Sequence, residues 1–299
     1  MATDPVLFMT MAEDKYVGPL TISIQQALKY YPDSQYVVYD AGISSENRAK
    51  LKQISPNVQL VSWTVRYVPL EVHHSAAFVV RKTCGIVWNE LKRVFIKNKI
   101  NQSFQSLYNQ REFEIKILNK LLCIQDCNER YKSRFIFLDA DAFLINRVDE
   151  IIDEPDIDLA VTQRRNQELA YTYNACRLLN TGVIFFLGDY DTNKTVINAW
   201  HDEALHHTHE AIAEQTALSR LLHKKKDNFF NHLNTNQELR FGDTPVTVRT
   251  LPCELYNYNW IEEFYSDRDR DTVKILHLKS GRFNTPMFKK IARTLSITL

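Results

Sequence analysis

Residues 134–145 read RFIFLDADAFLI, and this stretch decides the fold class. Four apolar residues, Phe135 to Leu138, lead into Asp139-Ala140-Asp141, and a second apolar run follows. A short, wholly apolar run reads as a strand buried on both faces, as in parallel sheets. Such a strand delivers its last side chains to the carboxyl edge of the sheet, where open α/β sheets bind ligands. Strand alternation then places Asp139 and Asp141 on one side and Ala140 on the other. Two carboxylates held together repel, so one keeps its proton or a cation sits between them. A hard divalent ion takes oxygen ligands, keeps positions open for substrate phosphates and neutralises a leaving diphosphate. The plainer reading is a strand capped by two solvated aspartates; apolar residues on both sides weigh against it.

Outward from this point, strand and helix signals alternate. Residues 5–11 (PVLFMTM), 35–40 (QYVVYD) and 58–62 (VQLVS) read as strands. Between them lie a helix over 19–31, ended by Pro32, and one capped by Ser44 or Ser45 that runs to about Ile54. Residues 75–97 read as mixed and helical, and 111–122 as an amphipathic helix. Downstream, 157–162, 179–187, 246–251 and 273–278 read as strands; 192–204, 211–223 and 283–295 read as helices. Strands separated by helices predict parallel pairing and a sheet covered on both faces. No repeat, linker or domain boundary interrupts the 299 residues, which predicts one domain over 1–299.

Composition narrows the function. Lys plus Arg is 37 and Asp plus Glu is 36, so no general charge draws the chain to nucleic acid. With seven glycines, neither a dinucleotide fingerprint nor a P-loop occurs. The five cysteines are scattered; Cys123 and Cys127 share a helix face without a second pair, which favours buried thiols over zinc. The N-terminus lacks a signal-peptide pattern and no apolar run reaches the roughly 20 residues of a membrane span. The expectation is a cytoplasmic protein, unless a targeting segment has been removed, with peripheral membrane contact open to it.

Several strings in one order resemble the GT-A nucleotide-sugar transferases, especially the family 8 and family 77-like groups. They are Leu7-Phe8-Met9-Thr10, Tyr39-Asp40, Glu114-Ile115-Lys116, Phe137-Leu138-Asp139-Ala140-Asp141, Leu179-Asn180-Thr181-Gly182-Val183, Glu214-Gln215-Thr216-Ala217-Leu218 and residues 276–282 (LHLKSGR). The set spans nearly the whole chain. The resemblance implies a GT-A-like (Rossmann-like) α/β/α sandwich with a mainly parallel central sheet, its segment 252–299 completing the donor and metal site. It implies transfer of a sugar from a nucleotide-diphosphate donor, UDP-linked, to a hydroxyl of a glycan or lipid-linked acceptor, as in polysaccharide biosynthesis.

Residue by residue, the resemblance implies that Asp139, Asp141 and His277 ligate Mn²⁺ or Mg²⁺, a donor set whose chemistry suits Mn²⁺. Lys279 and Arg282 match residues that hold the diphosphate, although the family 8 string H-x-x-G-x-x-K-P-W is not reproduced. Lys116 matches a helix cation that reaches the donor. Asn180, Thr181 and Gly182 match donor-pocket residues, with Asn180 bonding the sugar and Gly182 allowing close backbone approach. Gln215 matches a residue near the anomeric carbon. Glu214 beside it binds a sugar hydroxyl or acts as general base, and the Glu-Gln order looks more like the retaining groups. Thr10, Glu13 and Asp40 sit where similar enzymes hold the nucleoside.

Two other classes compete. In a haloacid-dehalogenase-like phosphatase Asp139 is the nucleophile and 188–191 (GDYD) imitates the acidic pair. A catalytically idle nucleotide-sugar-binding module needs no cation on a leaving group. His206, His207 and His209 read as solvated surface. Residues 224–226 (KKK) suit a helix C-terminus and also a membrane or glycolipid surface. Tyr256, Tyr258 and Trp260 suit either an acceptor groove or the core.

Overall fold

A computed structural model describes residues 6–66, 102–164, 178–206, 212–259, 271–278 and 285–294. The expected helix over 75–97, Cys84, Cys176, His207, His209, Trp260, Lys279 and Arg282 lie outside the described residues.

The first half is built from β1 (Leu7–Ala12), α1 (Val17–Tyr30), β2 (Gln35–Asp40), α2 (Ser45–Ile54), β3 (Val58–Ser62), α3 (Gln102–Tyr131) and β4 (Phe135–Leu138). β2 and β3 fall where the sequence predicts them, and Ser44 caps α2 by accepting from Asn47 N–H. The second half adds β5 (Ala142–Leu144), α4 (Asp149–Ile152), β6 (Leu159–Gln163), β7 (Leu179–Phe186), α5 (Tyr190–His206) and α6 (Ala213–Lys225). β8 (Asn236–Phe241), β9 (Thr244–Pro252), α7 (Cys253–Tyr256), β10 (Ile275–His277) and α8 (Pro286–Thr294) follow.

Eight strands form one sheet in the order β3-β2-β1-β4-β7-β6-β9-β8. β3, β2, β1 and β4 run parallel, as does β6 with β9; β7 runs antiparallel to β4 and β6, and β8 to β9. Alternation along the strands divides the core in two. Phe8, Tyr36, Val38, Ile136 and Leu138 pack on the face covered by α1 and α2. Met9, Val37, Tyr39, Phe137 and Ile184 pack on the other face with residues of α3, α5 and α6. The result is an α/β/α sandwich with a mainly parallel half. β8 was not expected from the sequence; it joins β9 through Gly242, whose φ of 62° glycine adopts without strain.

The local geometry of the aspartate pair differs from the strand expected there. β4 stops at Leu138, and residues 139–141 form a turn closed by Ala142 N–H donating to Asp139 O at 2.8 Å. The chain then leaves the main sheet. β5 pairs antiparallel with β10, setting His277 opposite Ala142. Ser23 Oγ donates to Ala142 O from α1, and Leu278 N–H to Asp141 O. Phe143, Leu276, Leu278, Phe288 and Ala292 give this small sheet its own core. Among the described residues no helix is long and apolar enough to cross a membrane.

Candidate active site

Asp139 and Asp141 lie on the turn after β4, at the carboxyl edge of the parallel strands. Antiparallel β7 begins at that same edge and contributes Asn180, Thr181 and Gly182. β10 adds His277 from 136 residues along the chain, because β5 turns away from the main sheet to meet it. One donor atom each of Asp139, Asp141 and His277 lies within 4.8 Å of the others. His277 Nε2 is 3.2 Å from Asp141 Oδ1 and 3.6 Å from Asp139 Oδ2. Two donors about 2.1 Å from one ion, at a right angle, sit about 3 Å apart. These separations and the donor types therefore fit one divalent cation such as Mn²⁺ or Mg²⁺.

Gly182 is required by space. A Cβ there would come 2.3 Å from His277 Cε1 and 2.9 Å from Asp139 Oδ2. Its backbone also holds the site, since Asp139 N–H donates to Gly182 O at 2.8 Å.

Lys116 and Lys120 lie one turn apart on α3 and line the same cavity. Lys116 pairs with Glu13 at 2.5 Å. Burial pushes the Glu13 carboxyl up; Lys116 and Lys15 outweigh it and hold it below the usual range. Lys120 reaches deeper, to Glu214 Oε1 at 2.9 Å and Asp139 Oδ1 at 3.5 Å, with Thr181 Oγ1 at 3.4 Å. Burial would lower its pKa, but the Asp139 and Glu214 charges raise it above the ordinary lysine value. Sequence reading chose Lys116 and missed Lys120, although their i, i+4 spacing places both on one helix face.

Burial pushes the Asp139 carboxyl up; Lys120 and His277 draw it down, and Asp141 and Glu214 add to the rise, which prevails. For Asp141 burial also pushes up, but the adjoining His277 ring outweighs it and the carboxyl ends below its usual value.

Glu214 and Gln215 begin α6, and both are buried. Glu214 Oε1 accepts from Lys120 and from Thr181 Oγ1 at 2.9 Å, while Oε2 has no hydrogen-bond partner among the described residues. Gln215 Oε1 accepts from Thr181 N–H and Arg164 Nη2, both at 3.4 Å, and its Nε2 has none. A buried polar atom without a partner costs stability, and Glu214 and Gln215, both of which line the cavity, each carry one.

The cavity holds about 310 Å³ and is lined by the two aspartates, His277, Lys116, Lys120, residues 180–182 and the Glu214-Gln215 pair, with Glu13, Tyr16 and Arg164. Tyr16 was not singled out by sequence; burial, then Asp141 and Asp139, raise its pKa and keep its hydroxyl protonated. Thr10 and Asp40 are not on the lining. Thr10 is buried in β1, and Asp40 accepts from Gly42 and Ile43 N–H and pairs with Arg48, which fixes the turn after β2.

The competing features separate from the site. Asp189 caps α5 through Thr192 N–H. It lies beyond Phe186, the end of β7 that is about 13 Å along the strand from Gly182, so it does not join Asp139. His206 Nδ1 meets its own helix at Asp202 O, and Lys224 pairs with Glu203. Tyr256 donates to Glu150 and Tyr258 is buried in the core.

Loss of Lys120 tests this electrostatic picture. Lys120→Met leaves two enclosed carboxylates without their cation. We expect a loss of about 2 kcal/mol in denaturant melts, less than the roughly 3–5 of a dry pair because the cavity admits water. Adding Glu214→Gln to Lys120→Met is expected to restore part of that loss.

A family model for nucleotide-diphospho-sugar transferases matches residues 90–285. A comparison with curated proteins finds no match. Among solved structures, the apo form of the bifunctional glycosyltransferase WbbM aligns over all of this chain, at 14% identity and a TM-score of 0.53. This chain spans about half of WbbM, 51% of its length, and the likeness is one of fold. The galactosyltransferase LgtC, solved with donor and acceptor sugar analogues, aligns over 97% of this chain and 94% of its own, at 15% identity and a TM-score of 0.49. The family model covers about two thirds of the chain and includes the aspartate turn, β7, the start of α6 and β10. The chain therefore belongs to the nucleotide-diphospho-sugar transferase family, on a GT-A-like fold.

Proposed function

We propose that the protein is a metal-dependent glycosyltransferase that moves a sugar from a UDP-sugar to a hydroxyl of a glycan or lipid-linked acceptor, with retention at the anomeric carbon. The observation that carries this reading is the convergence of Asp139, Asp141 and His277 on one point beside Lys120, in a cavity of the transferase family's fold. Mn²⁺ or Mg²⁺ held there would take up charge on the departing diphosphate.

The chain's own residues divide the remaining work. The nucleobase stacks on Tyr16, the one phenolic or phenyl ring among the described lining residues, with Glu13 near the ribose. Lys116 would meet the diphosphate, and Lys279 and Arg282, assigned to it by the family resemblance, would add charge that stabilises the leaving group. Lys120 keeps Glu214 and Asp139 in register. Glu214 Oε2 accepts from one sugar hydroxyl and Gln215 Nε2 donates to another sugar oxygen near the anomeric carbon. Thr181 holds Glu214, and Asn180 holds the backbone of Gly182. Glu214 is tied at Oε1 to Lys120 and Thr181, which suits a sugar-binding carboxylate more than a base for the acceptor. In a retaining transfer a leaving phosphate oxygen takes the acceptor proton instead. The whole chain, with segment 252–299, forms the domain that completes this site.

A thermal-shift panel of nucleotide sugars, with Mn²⁺ and with EDTA, tests the reading. One UDP-sugar is expected to raise Tm in Mn²⁺ and to lose that effect in EDTA. Stabilisation by no nucleotide sugar under either condition would contradict it.

A further inference from the structure

A histidine has two ring nitrogens, and only the one without a proton ligates a cation. At His277 a chain of buried amides makes that choice. Nδ1 lies 2.8 Å from Asn257 Oδ1, and Nε2 faces the two aspartates. Asn257 is fully buried, between α7 and β10. Which end of its amide meets His277 is fixed by the groups around it. Thr162 Oγ1 donates to Asn180 O at 2.6 Å, so toward Asn257 it accepts. Asn257 Nδ2 therefore points there, donating to Thr162 Oγ1 at 2.7 Å and to Asn180 O at 3.1 Å. This leaves Oδ1 on the His277 side, where it also accepts from Asn180 Nδ2 at 3.2 Å. Asn180 is itself oriented, because its Oδ1 accepts the Gly182 N–H at 3.2 Å. An acceptor against Nδ1 holds a proton on Nδ1, so Nε2, which faces Asp139 and Asp141, is the nitrogen that gives up its proton to a cation.

We infer that Asn257, oriented by Thr162 and Asn180, is a positioning residue that commits Nε2 of His277 to the cation. Its consequence for metal binding rests on the cation reading above; the choice of tautomer does not. The network also gives Asn180 a role apart from sugar contact: it links Gly182, which must stay small, to the histidine that Gly182 touches. Partners of this kind behind a metal ligand typically change affinity by about 10–100-fold when removed.

Two variants separate positioning from packing. Asn257→Asp keeps an acceptor for Nδ1–H; Asn257→Leu keeps similar bulk and offers none. The first readout is long-range proton–nitrogen NMR of the imidazoles in the metal-free protein, above the ordinary histidine range of about 6.5, with His277 assigned from the His277→Gln spectrum. The second is Mn²⁺ affinity, from the electron paramagnetic resonance of the free ion. Wild type and Asn257→Asp are expected to carry the proton on Nδ1, with Mn²⁺ affinity of Asn257→Asp near wild type. Asn257→Leu is expected to lose the tautomer preference and to bind Mn²⁺ about 10–100-fold more weakly. A wild-type ring protonated on Nε2 and bare at Nδ1 overturns the inference, and does so even where Asn257→Leu fails to fold. Equal losses of affinity in both variants with an unchanged tautomer overturn it too, in favour of packing alone. A wild type that binds no Mn²⁺ yet shows the Nδ1–H form, lost in Asn257→Leu, sinks the cation reading and supports the positioning role.

Discussion

Asp139→Asn is expected to lower donor turnover by roughly a thousandfold, about 4 kcal/mol of transition-state stabilisation. The metal-free variant is expected to be at least as stable as the wild type. The change keeps the shape of the side chain and removes one anionic ligand from the Asp139, Asp141 and His277 cluster. The stability side follows from the sign of the Asp139 shift. Burial chiefly raises this carboxyl above its ordinary value of 3.8, against the pull of Lys120 and His277. A carboxyl with a raised folded-state pKa holds its proton better folded than unfolded. Its ionisation therefore costs stability, from the unfolded value upward, and the cost is complete once pH exceeds the folded value. At neutral pH the wild type bears that cost without metal, and Asn does not. Lys120 in the variant retains Glu214 at 2.9 Å. Melts in EDTA beside turnover in Mn²⁺ give both numbers. A variant that melts well below wild type and stays active would show Asp139 to be structural.

Gly182→Ala is expected to reduce turnover by about a hundredfold and stability by about 2 kcal/mol. A single methyl group would stand 2.6 Å from His277 Nδ1 as well as 2.3 Å from Cε1. The imidazole has nowhere to retreat, since it is buried and held by Asn257 on one side and faces the aspartates on the other. Nor does β7 yield easily: it is buried along its length and hydrogen-bonded to β4 and β6. Displacement of His277 and Asp139, two of the three proposed cation ligands, by a fraction of an ångström is the expected compromise. Gly188→Ala is the control, because its new Cβ would meet Thr192 and Asp158 beyond the far end of the same strand. That variant is expected to lose some stability and to keep its turnover and Mn²⁺ affinity. Equal turnover losses in both glycine variants would point to a general weakening of β7 instead.

The sequence carried the sheet well where burial alone dictates pattern. β2 and β7 stand out because apolar runs bounded by turn residues have few other uses, and Ser44 marks the start of α2 by its capping chemistry. β8 escaped notice because its inward positions, Gln237, Leu239 and Phe241, include a glutamine and alternate with the exposed Glu238 and Arg240. At the site, the Asp139-Ala140-Asp141 string marked two carboxylates that do line one cavity, but with the wrong local geometry. A turn brings both carboxylates toward His277 where strand alternation was expected to align them. The β5–β10 pairing that brings His277 in is a contact between distant segments, which local periodicity does not encode. Lys120 was hidden by the choice between two lysines one turn apart, which depends on how α3 is rotated against β4. Asn257 was hidden for another reason: an amide among the aromatics of 256–258 (YNY) looks like a turn residue until its partners are known. Asp40 shows the reverse case, a carboxylate at a strand end whose oxygens serve the following turn.

Release of nucleoside diphosphate from the stabilising UDP-sugar is the most direct test of the central claim, that Asp139, Asp141 and His277 hold a cation for donor cleavage. It would be followed in Mn²⁺, in EDTA and after Mn²⁺ is restored, for wild type and Asp139→Asn. Slow release is expected in Mn²⁺; it should stop in EDTA, return with Mn²⁺ and be nearly absent in Asp139→Asn. Release indifferent to EDTA, donor binding without turnover in any divalent ion, or inorganic phosphate as the product would contradict it.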